Sequence, residues 1–273
     1  MKVGIIPSNG GGFFANIRGT VAAMYECDKK NITPYVKWTT PLYNNKEYGD
    51  NIWEYYFEQI CNLDGNNVIN IPQNREWKRE SYARKRMNDM IKKYVKIKPH
   101  VTDKIDTFWS SHVNQNNNVL GVHLRMTDKF DCTNHGEPST GKPINVDVYI
   151  DHIKKYIESE GDNVKIFLAT DSKDSIDKMV TTFGDKLFYR KDVIRSTGSK
   201  SVHHDMGGDN YKKGEDVLID SVLLSRCDFL FKGISNVATC ALFWNSSLNQ
   251  FNLNEYYNND MRESFIKQNL DYV

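Results

Sequence analysis

Three segments carry residues able to hold an anion and steady a leaving group. In GVHLRMTDK, at 121–129, an apolar run passes straight into His123, Arg125, Asp128 and Lys129. Open α/β sheets bind ligands outside the carboxyl ends of their strands, so charges at such an end stand where a ligand would. His123 and Arg125 are two apart and share one face of an extended chain, so both can address one bound group. The plainer reading of the same residues is an Arg–Asp pair that ties down a loop. In LATDS, at 168–172, Asp171 ends a second apolar run. It suits a ligand contact or a helix N-cap, and Ser172 could cap equally well. The third segment, 214–245, sets Asp220 among Val217, Leu218, Val222, Leu223 and Cys227. A carboxylate in an apolar helix needs a partner: Arg226, a backbone cap, or a ligand N–H. Residues 233–236 then open a helix at Ser235 and Asn236. The backbone N–H groups of that turn form an anion site, to which the Ser235 hydroxyl can add a hydrogen bond.

Other stretches admit chemistry less directly. His203-His204-Asp205 invites a metal reading, but adjacent side chains on an extended chain point to opposite sides and no third ligand stands at suitable spacing. A loop over a bound ligand, with His203 or His204 touching a ribose or phosphate, fits better. The stretch 75–98 holds ten Lys/Arg against three Asp/Glu. It reads as a solvated helix face, with an anionic acceptor or nucleic acid as the functional alternatives. Trp53, Tyr56 and Phe57 suit a core, whereas Tyr43 and Tyr48 are better placed to meet a carbohydrate.

The elements that must position these residues alternate between strand and helix. A short strand at 2–6 ends at Pro7, a Gly-rich turn covers 8–12, a helix covers 15–27 (Ile17, Val21, Met24) and a strand follows at 33–38. This is a βαβ unit and implies a parallel sheet. A long helix from 75 is expected to end near Pro99, and the NQNNN tract at 114–118 marks a boundary. Beyond it, strands at 119–125, 164–170, 186–189 and 227–231 alternate with helices at 146–158, 172–183, 214–226 and 235–245. A long Gly/His/Asp loop fills 193–213, and a last helix covers about 255–270. The pattern predicts an α/β protein of two Rossmann-like domains with parallel sheets, 1–117 and 118–273, the last helix packing back on the first domain.

The composition narrows the classes. With 273 residues the chain can bury real cores. Its 36 Lys+Arg against 35 Asp+Glu leave a net +1, so no global field draws it to nucleic acid or an anionic membrane. No apolar run reaches the roughly 20 residues of a membrane span, and the opening MKVGIIPSNGG lacks the apolar core of a secretory leader. Cys27, Cys61, Cys132, Cys227 and Cys240 are odd in number and scattered without a CxxC pair, the pattern of reduced thiols. A cytoplasmic setting is expected, where the sequons at Asn31 and Asn245 are idle.

GVHLRMTDK resembles the HxRxTDK motif of the fucosyltransferase superfamily, nearest to the alpha-1,6-fucosyltransferases that include the rhizobial nodulation enzymes. LATDS resembles their ATD motif, and DVLIDSVLLSRCDFLFKGISNVA is similar to their final block in order and spacing. The likeness runs from about 119 to 245. In the N-terminal half only GGFFANIRG is similar, to a Gly-x-Phe-Gly-Asn loop, which places Asn16 at the loop asparagine.

The resemblance implies a GT-B-like inverting glycosyltransferase that uses a nucleotide-diphosphate sugar and no metal, and transfers to a hydroxyl of a glycan acceptor. By motif position Arg125 and Ser235 contact the diphosphate, and His123 and Asp220 hold the base. Asp128, Lys129, Asp171 and Asn236 complete the donor side. An Arg fork matches phosphate oxygens and stabilises the leaving diphosphate. A carboxylate that accepts two adjacent N–H donors suits guanine better than uracil, so Asp220 favours GDP-fucose. The chain lacks the DxD pair that holds a divalent ion in enzymes of other folds. It departs from the nearest members at Arg125-Met126, where they carry two arginines. A UDP-sugar such as UDP-xylose is therefore an alternative donor, and a nucleotide-binding module without transfer is the alternative activity. The proton acceptor falls in FDCTNHGEPSTGK, where Asp131, His135 and Glu137 are the candidates.

Overall fold

The computed structural model describes residues 2–73, 80–126, 144–198, 202 and 207–254, with side chains in the helix that starts at Glu80 described from Arg84. Its contacts divide the chain into two compact units. The first comprises Met1–Trp109, Gly207–Ser225 and Thr239–Ser247; the second comprises Ser110–Met206, Arg226–Ala238 and Leu248–Val273.

The first unit is built on a three-stranded parallel sheet in the order β2-β1-β3, formed by β1 (Lys2–Pro7), β2 (Thr33–Lys37) and β3 (Asn67–Asn70). Helix α1 (Phe13–Lys29) crosses between β1 and β2 and buries Ile17, Val21 and Met24, as their helical spacing requires. Phe13 at its start meets Phe14, Trp38, Tyr43 and Tyr56 edge-on, with ring centroids 5.3–5.6 Å apart. Each such pair adds about 0.5–1.5 kcal/mol beyond burial. The short helix α2 (Trp53–Tyr56) supplies the other side of this aromatic core.

The basic stretch forms α3 (Glu80–Tyr94), and Pro99 begins a further helix, α4 (Pro99–His112), rather than only ending the first. Proline is well suited to a first helical position, because its missing N–H would have no partner there and its φ is already helical. On α3, Met87, Asn88, Met90 and Ile91 are buried, while Lys93 and Tyr94 bond Asp28 and Arg86 lies over the Tyr25 ring. These basic residues are held against α1, as a packed helix with one solvated face would hold them.

The second unit is a five-stranded sheet, parallel throughout, in the order β6-β5-β4-β7-β8. Its strands are β4 (Asn118–Leu124), β5 (Val164–Thr170), β6 (Leu187–Phe188), β7 (Phe229–Lys232) and β8 (Asn249–Asn252). Helices α5 (Val146–Glu160) and α6 (Lys173–Phe183) link β4, β5 and β6. Asn145 caps α5 by accepting from Asp147 N at 3.0 Å, and Ser172 caps α6 by accepting from Ser175 N at 3.2 Å. Leu120, Val122, Leu124, Ile166, Leu168, Phe229 and Phe231 project from one face of the sheet into a core completed by Tyr149, Ile153, Ile176 and Met179. Full burial of each such apolar side chain is worth about 1.5–3 kcal/mol.

Helix α7 (Asn210–Ser225) returns to the first unit, and α8 (Asn236–Trp244) follows β7. Tyr56 Oη donates to Tyr211 O at 2.7 Å, Tyr211 Oη donates to Glu215 Oε1 at 2.9 Å, and Lys104 Nζ meets both Glu215 oxygens at 2.7 Å. Gly214 makes this approach possible, since a Cβ there would lie 2.4 Å from Tyr56 Oη and 2.9 Å from its Cζ. Gly214→Ala is therefore expected to destabilise the protein by about 1–3 kcal/mol, because the buried ring cannot withdraw without losing its bond to Tyr211. Urea denaturation checks this through a lower midpoint at unchanged slope.

Candidate functional site

The second sheet's strands, numbered in chain order, run 3-2-1-4-5, so the winding reverses between β4 and β7. At such a reversal the connections leave to opposite sides and open a crevice beyond the strand ends, which is where ligands bind in these sheets. The residues at that edge are His123 near the end of β4 and Arg125 just past it, Asp171 just past β5, Lys232 at the end of β7, and Gly233 to Asn236 after it.

Alternation assigns them a face. Leu120, Val122 and Leu124 enter the core, so His123 projects from the opposite face, with Ala169 and Lys232 as its Cα partners on the two neighbouring strands. His123 is buried, and its Nδ1 has no hydrogen-bond partner among the described residues. Burial pushes its pKa down to about 4; Asp171 opposes the shift, and Arg125 and Lys232 add to it. The imidazole is therefore neutral near pH 7, with one ring nitrogen a donor and the other an acceptor. The strand end beneath it is fixed by Tyr149, whose Oη donates to His123 O at 3.3 Å.

Arg125 Nη1 lies 3.0 Å from Asp171 Oδ2, and Asp171 Oδ1 accepts from Met126 N at 2.9 Å. One carboxylate thus orients both the guanidinium and the backbone that follows it. The backbone of Asp171 is tied in turn, its O accepting from Ser196 N at 2.8 Å, while Ser196 O accepts from Lys173 N at 3.0 Å. The loop-tying ion pair expected as the plainer reading is present. A guanidinium has five N–H donors, and the 3.0 Å contact with Asp171 Oδ2 concerns a single Nη.

After β7 the chain turns at Gly233, where a Cβ would lie 2.6 Å from Asn254 Oδ1 and 3.1 Å from Tyr149 Oη. Ile234 N donates to Asn254 Oδ1 at 2.8 Å. Ser235 Oγ accepts from Val237 N at 3.2 Å and so caps α8; as an acceptor there, the hydroxyl still has its own proton to give. Asn236 is the first residue of α8, whose leading N–H groups carry the positive end of the helix dipole.

Asn16 and Asp220 belong to the first unit. Asn16 is fully buried, accepts from Asn9 N at 2.7 Å and donates to Gly11 O and Gly12 O at 2.8 and 3.3 Å. It thereby shapes the Gly-rich loop from behind. Asn9 Nδ2 donates to Gln73 Oε1 at 2.6 Å, and Gln73 Nε2 to Pro7 O at 2.7 Å, joining the turns after β1 and β3. Asp220 is buried on α7. Tyr43, expected to meet a carbohydrate, is instead 3% exposed and accepts from Phe13 N at 3.0 Å, because the aromatic core draws it inward. Tyr48 is 49% exposed and stacks on Tyr211 at 3.9 Å. Asp128, Lys129, Asp131, His135, Glu137, His203 and His204 lie outside the described residues. Lys232, Tyr149 and Asn254 were not singled out by spacing, although a lysine closing the apolar run FLFK was a visible signal.

Residues 76–268 match the family model described as Nodulation protein Z. No curated protein sequence matches the chain. Among solved structures, the fucosyltransferase NodZ from Bradyrhizobium is similar at 15% identity, covering 89% of this chain and 92% of its own, with a TM-score of 0.52. POFUT1 in complex with GDP is 12% identical over 92% and 98% of the two chains, with a TM-score of 0.55. A mutant of Arabidopsis thaliana FUT1 in complex with GDP is 8% identical over 93% and 71%, with a TM-score of 0.54. At these identities the likeness is one of fold, the two-domain GT-B arrangement of parallel sheets.

The buried neutral His123 has a consequence for stability. Its pKa falls from 6.5 unfolded to about 4 folded, so between those values the unfolded chain binds the additional proton. The contribution is therefore complete above pH 6.5 and is lost as pH falls toward 4, by roughly 3 kcal/mol in all. Denaturation midpoints of His123→Gln measured from pH 7 to 4 should fall less steeply than those of the unaltered protein.

Proposed function

The chain belongs to the Nodulation protein Z family, and from that premise we propose that it is an inverting, metal-independent glycosyltransferase that moves fucose from GDP-fucose to a hydroxyl of a glycan acceptor. The observation that carries the reading is the crevice edge of the second sheet, where Arg125 is held by Asp171 beside the Ser235 turn and the start of α8. Similar structures described as NodZ alpha-1,6-fucosyltransferase with GDP-fucose and with GDP support the choice of donor.

In this reading Arg125 gives N–H donors of its fork to the donor's diphosphate, and Ser235 and the first N–H groups of α8 give further hydrogen bonds. Charge grows on the diphosphate oxygens as the glycosidic C–O bond breaks, and donors fixed beforehand stabilise that charge without reorganising. Asp171 acts through Arg125 as a positioning residue. His123 and Asp220 hold the base, the carboxylate of Asp220 accepting from guanine N1–H and N2–H. Asn16 keeps the Gly-rich loop in shape, while Asp128, Lys129 and Asn236 serve the donor side with His203 and His204 in a covering loop. The acceptor oxygen attacks the anomeric carbon from the face opposite the diphosphate, and Asp131 or Glu137 takes its proton. Residues 118–273 serve the donor and 1–117 the acceptor.

Calorimetric titration with GDP, UDP, ADP and CMP in chelator-treated buffer tests the donor. GDP is expected to bind most tightly. A preference for UDP would overturn the guanine role of Asp220 and favour a UDP-sugar, and binding of none would remove the donor reading altogether. Arg125→Ala is expected to lower kcat/KM for transfer by at least about 100-fold, the usual cost of losing a charge-stabilising donor. Full activity of that variant on a glycan panel would sink the assignment of Arg125.

A further inference from the structure

The carboxyl edge of the first sheet carries a feature that the donor site does not use. Ligands of open parallel sheets bind outside the carboxyl ends of the strands, and there β2 passes into the loop 38–52. The loop is closed at its neck, where Ile52 N donates to Trp38 O at 3.0 Å and Trp38 N donates to Asn51 Oδ1 at 2.9 Å. Compact loops with joined ends are frequently functional. This one carries Tyr48, which is 49% exposed.

Tyr48 is held in place. Its ring lies on that of Tyr211 at 3.9 Å and within 10° of parallel. Tyr211 is itself buried and fixed, since its Oη donates to Glu215 Oε1 at 2.9 Å and lies 3.0 Å from His100 Nε2, while Tyr56 stacks on its ring. The buried Tyr55 shares its hydroxyl proton between Asn45 O at 2.8 Å and Gly49 O at 2.5 Å, on either side of 46–48. Asn45 Nδ2 donates to Asp209 Oδ1 at 3.0 Å and Asn210 Nδ2 to Asn44 O at 3.2 Å, tying the loop to the start of α7. One face of the Tyr48 ring is thus covered, and among the described residues no ring or cation is stacked on the other. A ring so held has little freedom left to lose when a ligand covers it.

The surroundings narrow what that ligand is. A protein interface needs a contiguous patch with an apolar centre, yet the other large apolar side chains exposed among the described residues, Val68, Val180 and Ile234, stand on β3, α6 and the turn after β7. Tyr48 is flanked in the chain by Lys46, Glu47 and Asp50, all exposed, as is Asp209. A lone ring in a polar setting suits a guest that is apolar on one face and polar at its rim. A pyranose is such a guest: its axial C–H groups match the electron-rich face of an aromatic ring, and its hydroxyls reach the few polar groups around it. Asp209 is set for the second part. Its Oδ1 accepts from Asn45 Nδ2 and, at 2.9 Å, from Tyr211 N, which leaves Oδ2 to accept from a hydroxyl.

We infer that Tyr48 is the stacking platform for a hexopyranose residue of the glycan acceptor, with Asp209 accepting from a hydroxyl of that sugar. This rests on the glycosyltransferase reading above and gives its acceptor a first contact residue. No bond is made or broken at Tyr48; the ring binds the sugar and sets its plane.

The test titrates the full chain with four neutral β-linked oligosaccharides, cellotetraose, chitotetraose, mannotetraose and galactotetraose, and separately with GDP. The unaltered protein is expected to bind at least one of the four. For that sugar Tyr48→Ala should lower affinity by about 10-fold, as expected when one face of an aromatic ring is no longer buried, while GDP affinity stays within about threefold. Tyr48→Leu, which keeps apolar cover over Tyr211 without a flat aromatic face, should lose as much, and Tyr48→Trp should retain binding. If Tyr48→Ala does not fold, Tyr48→Leu is read alone. Unchanged oligosaccharide affinity in Tyr48→Leu would overturn the platform, and parallel losses of sugar and GDP would overturn it by making Tyr48 structural. Binding of GDP but of none of the four sugars would overturn the platform and leave the donor reading standing. Sugar binding that depends on Tyr48, without any binding of GDP, would uphold the platform and remove the donor reading.

Discussion

A parallel sheet has to be covered on both faces, and β4 is the strand on which that requirement falls hardest. It pairs with β5 along its whole length and with β7 from Leu120 to His123. Val119 to Leu124 are all buried. One face is closed by the apolar core, and the strand cannot slip by a residue without exchanging Val122 and Leu124 for His123. The position of every charged group at the crevice edge follows from that register. Arg125 emerges where it does because Leu124 and Met126 on either side of it turn to the core face, and Asp171 meets it because β5 runs in step with β4. The site is a boundary between a run of residues that must be dry and the first residues that need not be.

Strands and helices whose apolar spacing is unbroken were legible in the residues. The pattern at 164–170 coincides with β5, the cap expected at Asp171 or Ser172 is made by Ser172, and α1, α5 and α6 lie within a few residues of their expected bounds. What the sequence hid has physical causes. β3 and β8, reading NVIN and NQFN, are short and at least half asparagine or glutamine, so alternation has too few apolar positions to announce a strand. Pro99 reads equally as a stop for α3 and as the first residue of α4, and only packing chooses between them. The return of 207–225 and 239–247 to the first unit depends on contacts across more than 100 positions, such as Tyr56 with Tyr211, which no local spacing encodes.

The edge was partly legible for a related reason. His123, Arg125, Asp171 and Ser235 stand at ends of apolar runs, where polarity changes abruptly. Lys232 stands inside the end of one, the last of four buried positions, and a single lysine closing such a run reads as its termination. Its relation to His123 is a matter of register between strands more than 100 residues apart.

The loop after β1 is held by a different chemistry, neutral amides throughout. Asn9 donates to Ala15 O and Gln73 Oε1 and accepts from Gly11 N at 2.9 Å, and Asn16 closes the turn from behind. Amides do not titrate, so this loop keeps its shape across pH and ionic strength that would alter the Arg125–Asp171 edge. Its weakness lies in time rather than acidity. Asn9 precedes Gly10, the pairing in which a backbone nitrogen most readily attacks the side-chain amide and expels ammonia. Hydrogen bonds at both ends of the Asn9 side chain restrict the side-chain rotation that such an attack requires. Should the bond break, the resulting Asp would set a carboxylate against Gln73 Oε1, and a turn stitched by neutral donors and acceptors would acquire a repulsion. The folded state of this loop is thus also its protection against chemical ageing.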